Sequence, residues 1–512
     1  MSRGRKNSRV NDKRLVTQQS VNATIKSICD IMRRSNCAGA LQYVPELTWV
    51  LFLRILDERE GREAEAAEAV GAEYTPSLEP PYRWRDWAAP DGARRQALEG
   101  GSLGAFFGFV NNDLISRLKR LRERPNATSR QKIISEIFSG VERTRIDTER
   151  NLLDVLDKVN EISDERVDKT HVFTLSQVYE GLLLKMGEKG NDGGQFFTPR
   201  EIIRVMVRAI DPRIGQTVYD PGCGTGGFLA QAYEHMTGKD NSKITSPDQL
   251  ETLKTRTFYG REKDNAIYPI ALANLVLHGI DEPHIWHGNT LTGGEIYGGL
   301  FEGVPALYDV ILMNPPFGGK EGKEAQTRFT YKTGATQVLF LQHVVDALEP
   351  QGGRCGIVLD EGVLFRTNET AFMQTKRKLL DECDLWCIVS LPPGVFTAAG
   401  AGVKTNLLFF TKGQPTEKVW YYDLSDIKVG KKTPLTAAHF EDFFRLLPSR
   451  TDSERSWIIT RQDIEAKNYD LKAVNPNRKP VEDPRTPKEL LDLIETKSRE
   501  VAKAVAALRK GG

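Results

Sequence analysis

The sequence predicts an α/β protein, a mostly parallel sheet flanked by helices, with a helical N-terminal domain (1–165) before it and a C-terminal helical tail (426–512) after it. Three observations carry that expectation. Short β-rich runs alternate with helical stretches between residues 166 and 425, a glycine-rich turn follows the first run, and both flanks keep helical apolar spacing. A chain of 512 residues has length for about three domains of roughly 150 residues. Apolar residues at 39% together with 44 glycines exclude wholesale disorder and fibrous structure. Lys plus Arg at 71 against Asp plus Glu at 69 leaves +2, so any surface for a polyanion is local.

The first 14 residues hold six basic side chains and one acid with no apolar stretch behind them, so they read as a solvated tail and not a secretory signal. The most apolar stretch, Trp49 to Leu53, stops at Arg54, far short of the ~18 residues a spanning helix needs. We therefore expect no membrane partner and a cytoplasmic protein. Val21, Ile25, Ile28 and Met32 recur at helical spacing, as do Ile133, Ile134, Ile137 and Phe138. Tyr43 to Leu56 is too uniformly apolar to assign. A proline-rich stretch (Pro76, Pro80, Pro81, Pro90) frames PYRWRDW, whose Trp84 and Trp87 alternate with arginine. Such a run can contact nucleic acid, but a loop folded over a core is the favoured reading.

In the middle segment, strands are expected at Thr217–Asp220, Thr257–Tyr259, Asp309–Met313, Gly356–Leu359, Cys387–Leu391 and Asn406–Phe410, with Val419–Tyr422 as an edge strand. In the tail, a polar, proline-punctuated segment precedes one last helix, whose start is specified by Thr486, Pro487 and Glu489. Leu491, Ile494, Ser498, Val501, Val505 and Leu508 draw one narrow apolar seam along about 36 Å of it. That seam calls for a partner, which we read as another subunit. The six cysteines are too sparse for a disulfide framework. Cys383 and Cys387, four apart, would face together on a helix, but no histidine completes a metal set, so no metal is expected.

Two motifs carry chemistry. The first, Asp220-Pro221-Gly222-Cys223-Gly224-Thr225-Gly226-Gly227-Phe228, lies between a strand and a helical run, where glycines let the backbone approach a nucleotide-like ligand. Gly222, Gly224 and Gly227 satisfy GxGxxG, which alone is a weak sign of dinucleotide binding. The next acidic strand end, Glu262, comes 35 residues after Gly227, too far for a nicotinamide site, and no GxxxxGK[ST] accompanies it. The second motif, Asn314-Pro315-Pro316-Phe317, ends the strand Asp309–Met313, 92 residues after Gly222. The amine of a nucleobase is a poor nucleophile because its lone pair is delocalised into the ring. If the Asn314 side-chain oxygen and the Pro315 carbonyl each accept one N–H, the nitrogen becomes tetrahedral and its lone pair points at an electrophile. Phe317 offers a flat face on which an extruded base can stack.

With these residues the chain resembles the S-adenosylmethionine-dependent amino-methyltransferases of DNA, specifically the modification subunits of type I restriction-modification systems. The resemblance rests on GGQFFTPREI (193–202), the glycine motif, FYGREKDNAIYPIALANLVLHGI (258–280), GNTL (288–291), YDVILMNPPFG (308–318), IVSLPPGVF (388–396) and a YDL–NPN tail (469–477). It implies a Rossmann-like methyltransferase sheet over 166–425, with Asp220, Gly222 and Gly224 at the methionine end of the cofactor, Thr225 and Gly226 also binding it, and Glu262 on its ribose hydroxyls. It also implies that Gln195, Phe196, Phe197 and Thr198 fold over the cofactor, while Thr198-Pro199-Arg200-Glu201 equally reads as a helix capping box. Asn289 stands where the family often has an acid, and an asparagine still accepts from the adenine amine of the cofactor. Phe396 resembles a second base-stacking aromatic, with a core position as the alternative.

The resemblance implies methyl transfer to the N6 amine of an extruded adenine in double-stranded DNA, without metal or covalent enzyme intermediate. Only 90 residues follow Tyr422, too few for a target-recognition domain beside the last helix. Site reading is therefore expected from a separate DNA specificity subunit, and the resemblance implies two copies of this chain per specificity subunit and a restriction subunit joining for cleavage. A stand-alone DNA adenine methyltransferase is the main rival. A protein-glutamine or RNA guanine methyltransferase, a catalytically silent subunit and an oxidoreductase rank below it.

Overall fold

The computed structural model of the chain describes residues 18–35, 37, 40–161, 198–295, 304–396, 404–430, 433–472, 474–477 and 486–510. The expected boundary at 165/166 and the residues Gln195, Phe196 and Phe197 lie outside them.

Among the described residues, ten strands form one sheet: β1 (Val218–Asp220), β2 (Phe258–Glu262), β3 (His284–Asn289), β4 (Gly294–Glu295), β5 (Val310–Met313), β6 (Arg354–Asp360), β7 (Cys383–Ser390), β8 (Thr405–Lys412), β9 (Lys418–Asp423) and β10 (Ser456–Thr460). Their order is β10-β9-β7-β8-β6-β5-β1-β2-β3-β4. The block β6-β5-β1-β2-β3 is parallel throughout. Beyond it the sheet is mixed, because β8 runs antiparallel between β6 and β7, so the mostly parallel expectation holds only for the half that carries the site. The sequence 391–404, LPPGVFTAAGAGVK, offers no crossover helix, and an antiparallel neighbour needs none. Nor is β9 an edge strand. It pairs with β7 on one side and with β10 on the other, so the sheet runs past residue 425, where the sequence places its end. β10 (SWIIT) sits in polar surroundings that conceal it.

Each buried strand feeds two apolar layers. Along β5, Val310 and Leu312 join one core cluster and Ile311 and Met313 the other, as period-two alternation requires. Cys383 and Cys387 lie on β7 and not on a helix. A register shift between Leu385 and Cys387 sends them into opposite layers. All six cysteines are buried and free. Among the described residues no group of His, Cys, Asp and Glu could hold a metal, and no helix is long and apolar enough to cross a membrane.

The front of the chain is helical, with α1 (Gln18–Arg34), α2 (Ala40–Ala69), α3 (Ser129–Phe138) and α4 (Glu149–Asn160). The unassigned run is the buried centre of α2. Leu47, Val50, Leu51, Phe52, Leu53 and Leu56 are covered on every side, which erases the amphipathic signature of a helix. Trp84 and Trp87 are buried too, and the Trp84 indole donates to Asn160 Oδ1 at 2.8 Å. Arg83 and Arg85 are paired with Asp86 and Asp57, so the aromatic–arginine run is core and clasp.

This helical region docks on the sheet domain through α7 (Tyr268–His278) and the turn after it. Arg59 of α2 and Arg130 of α3 both reach Asp281, at 2.7 and 3.0 Å, and Arg130 also meets Glu63 at 2.8 Å. Burial opposes ionisation of Glu63, but Arg130 and Arg59 outweigh it and hold the carboxyl down to about 2. Burial likewise opposes ionisation of Asp281, and Arg59, Lys254 and Arg130 lower it on balance. Carboxylates held below their ordinary range add stability that is full above roughly pH 4.5 and lost as the pH falls toward 2. Arg130→Ala is expected to cost about 3 kcal/mol at pH 7. In thermal melts its deficit relative to the parent chain should shrink between pH 5 and pH 3, and a deficit unchanged by acid would refute this account.

In the tail, the YDL–NPN segment lies across the sheet domain. Leu471 N–H donates to Leu364 O at 3.1 Å and Asn477 Nδ2 donates to Ser453 O at 2.8 Å. The last helix (Pro487–Lys510, 24 residues) starts at the Thr486/Glu489 capping box, and Leu491, Ile494, Val501 and Val505 of its seam are exposed.

Candidate active site

The strand order reverses at β1, with β2 on one flank and β5 on the other, and a parallel sheet opens a crevice at such a point beyond its carboxyl ends. One cavity occupies it. Asp220 ends β1, Glu262 ends β2, Asn289 ends β3 and Asn314 follows β5, and all four line that cavity.

The glycine motif makes its floor. Gly224 and Gly226 have φ of 54° and 80°, left-handed values costly for other residues, and a Cβ on Gly226 would come within 3.2 Å of Leu275. Asp220 Oδ1 accepts Gly222 N–H at 3.1 Å, and Glu262 accepts Gly224 N–H at 2.9 Å and Asp264 N–H at 2.8 Å. The two acids thus fix the turn and face the cavity. Burial pushes the Asp220 carboxyl up to about 8, against the Gly222 N–H and reinforced by Glu262. Burial also raises Glu262, to about 7, against the N–H groups of Asp264 and Gly224. Two buried carboxylates short of counter-charge suit a ligand that brings a positive centre and hydroxyl donors. Asn289 Oδ1 accepts Leu291 N–H at 3.0 Å, which leaves one lone pair of that oxygen for a ligand.

Asn314 lines the same cavity from the end of β5, the neighbour of β1. Its Nδ2 donates to Thr198 Oγ1 at 3.0 Å, while its Oδ1 is buried without a partner. A buried acceptor left open costs about 1–3 kcal/mol and calls for an explanation, which an arriving N–H supplies. Thr198 does not act as a helix cap. Helix α5 (Arg200–Ile210) begins at Pro199 with no side-chain cap, so the capping-box reading is overturned.

The cavity lining includes Thr198, Gly222, Gly224 and Thr225 and, from the second motif, Asn314 and Pro316, whereas Gly226, Pro315 and Phe317 stand behind or beside it. Phe396 is 1% exposed and meets the half-buried Phe317 edge-on, ring centroids 5.3 Å apart. It therefore backs Phe317 from a buried position, which fits the core alternative of its two readings. Sequence reasoning missed Asn274, fully buried on α7, whose Nδ2 holds the Thr225 carbonyl at 2.9 Å. A lone amide inside IALANLVL was the available signal. It also missed Glu321 and Thr336, joined at 2.9 Å in the cavity lining, which no local pattern marks.

Residues 170–483 match the family model described as N-6 DNA Methylase, and residues 21–159 the HsdM N-terminal domain. The type I restriction enzyme EcoEI methylase subunit of Escherichia coli is 36% identical over 507 residues, 96% of this chain and 97% of that protein. The EcoKI methylase subunit of Escherichia coli K12 is 30% identical over 468 residues, 86% and 80% of the two chains. Among solved structures, a chain from work on complex assembly and conformational transition of the type I R-M system is 37% identical, with a TM-score of 0.72 over 96% of this chain and 98% of that one. A modification subunit from Vibrio vulnificus YJ016, ascribed to a type I restriction enzyme, is 33% identical, with a TM-score of 0.76 over 90% and 98%.

Proposed function

We propose, from the premise that this chain belongs to the N-6 DNA methylase family as a type I restriction-modification methylase subunit, that the switch-point cavity binds S-adenosylmethionine beside an adenine held by Asn314. The chain is an adenine-specific DNA methyltransferase that acts on the N6 amine as the modification subunit of its system. The observation that carries the site assignment is one cavity lined by two unlike sets of polar atoms. Buried carboxylates are one, and an unpartnered carboxamide oxygen is the other.

The residues fit the cofactor. Asp220, above the Gly222–Gly226 turn, suits its cationic methionine end, Glu262 its ribose diol, and the free lone pair of Asn289 Oδ1 its adenine amine. When bound, S-adenosylmethionine supplies an electrophilic methyl group on a sulfonium. Asn314 Oδ1 and the Pro315 carbonyl accept the two amine hydrogens of the extruded base, so the nitrogen lone pair is freed from the ring. Phe317, braced by Phe396, stacks on the base.

The partners follow from chemistry the chain leaves to others. In this reading a DNA specificity subunit reads the target, two copies of this chain flank it, and a restriction subunit joins for cleavage in the cytoplasm. The N-terminal domain closes on DNA and on partners, and the exposed seam after Pro487 docks on a subunit. Label transfer from S-adenosylmethionine to mixed-sequence DNA, followed by nucleoside analysis, tests this. N6-methyladenine formed only with co-purified partners is expected. Label transferred by the chain alone would place target recognition within these 512 residues.

A further inference from the structure

We propose that Thr198 is a positioning residue for Asn314, anchoring its carboxamide so that the side-chain oxygen is held at the substrate amine. The proposal rests on the reading of Asn314 as an amine acceptor and adds a residue that this reading does not require. An asparagine side chain turns about two torsions, so a hydrogen bond at one end of the carboxamide fixes where the other end lies. With the oxygen inward the amine meets an acceptor. The Thr198 hydroxyl accepts from Asn314 Nδ2 at 3.0 Å across 116 residues of sequence, and Oδ1 is thereby left buried and open.

Two further observations separate this role from a local one. A threonine three residues before a glutamate, at the start of a helix, ordinarily spends its hydroxyl on the helix N-terminus, yet α5 has no side-chain cap. Thr198 also precedes Pro199, which restricts its backbone and holds the hydroxyl in place. The bond ties the segment entering α5 to the turn after β5 that carries Asn314.

Thr198→Val keeps the shape and removes the hydroxyl, and Thr198→Ser restores it. In single-turnover methyl transfer with the assembled complex at saturating DNA and cofactor, Thr198→Val is expected to fall about tenfold. S-adenosylmethionine Kd, from titration of the same proteins, should stay within about twofold, and Thr198→Ser should recover most of the rate. Adding Thr198→Val to Asn314→Ala should cost nothing further, because the group it orients is gone. A Thr198→Val complex with unchanged rate, or with weakened cofactor binding and normal rate at saturation, would overturn the proposal. Full activity in Asn314→Ala alone would instead remove the reading beneath it, so the two failures are distinguishable.

Discussion

Asn314→Ala is expected to lower single-turnover methyl transfer by about 10²- to 10³-fold and to leave the cofactor Kd unchanged. The size follows from where the interaction is strongest. As the amine nitrogen gives up its lone pair it gains positive charge, and its N–H groups become better donors than they were in the ground state. An acceptor fixed at that point therefore stabilises the transition state more than the bound base. Preorganised hydrogen-bonding groups of this kind are worth roughly 3–4 kcal/mol when removed singly. The Pro315 carbonyl remains in the variant, which is why residual activity is expected. Asn314 follows β5, beside β1, and its hydrogen-bond partner is Thr198 and not the glycine turn, so no hydrogen bond that shapes the acidic side is lost. Cofactor titration beside the rate measurement checks both halves. A parallel rise in Kd would move Asn314 from the base to the cofactor.

The elements that sequence revealed are those with local causes. Apolar β-branched and aromatic runs bounded by glycine or proline marked seven of the ten strands, and both strand-end motifs fall where the strands stop. β3 escaped because only Ile285 and Trp286 stand out in HIWHGN, and its place is set by pairing with β2. Cys383 and Cys387 misled because spacing four fits a helix, while the bulge that parts them depends on the neighbouring strand. The site divides in the same way. Asp220, Glu262, Asn289 and Asn314 are strand ends legible from motifs, and the fold needed only to gather them. Thr198 and Phe396 were legible as residues and not as partners. What each touches is decided by a tertiary contact, to Asn314 in one case and to Phe317 in the other.

Asp220→Asn is expected to weaken cofactor binding by about 10- to 100-fold and to flatten its pH dependence, with little further loss of rate once the cofactor saturates. The sign comes from the raised carboxyl. Burial holds Asp220 protonated up to about pH 8, with Glu262 beside it raised to about 7. A neutral acid offers a cationic ligand only a dipole, whereas the carboxylate offers a charge in a cavity where water screens it poorly. Binding therefore requires release of a proton at pH values below the raised carboxyl, and the apparent Kd rises as the ionised fraction falls. In the parent protein affinity should tighten by up to about tenfold per unit as pH rises from 6 toward 8, then level off. Calorimetry in buffers of different ionisation enthalpy should show proton release at pH 6.5 and almost none at pH 9. Asp220→Asn keeps an acceptor for Gly222 N–H at 3.1 Å, so the turn survives while the charge and the titration are lost. What pH dependence remains in that variant then belongs to Glu262. A parent Kd that is constant from pH 6 to 9 would mean that the carboxyl is already ionised when the cofactor arrives, and that the burial argument for Asp220 fails.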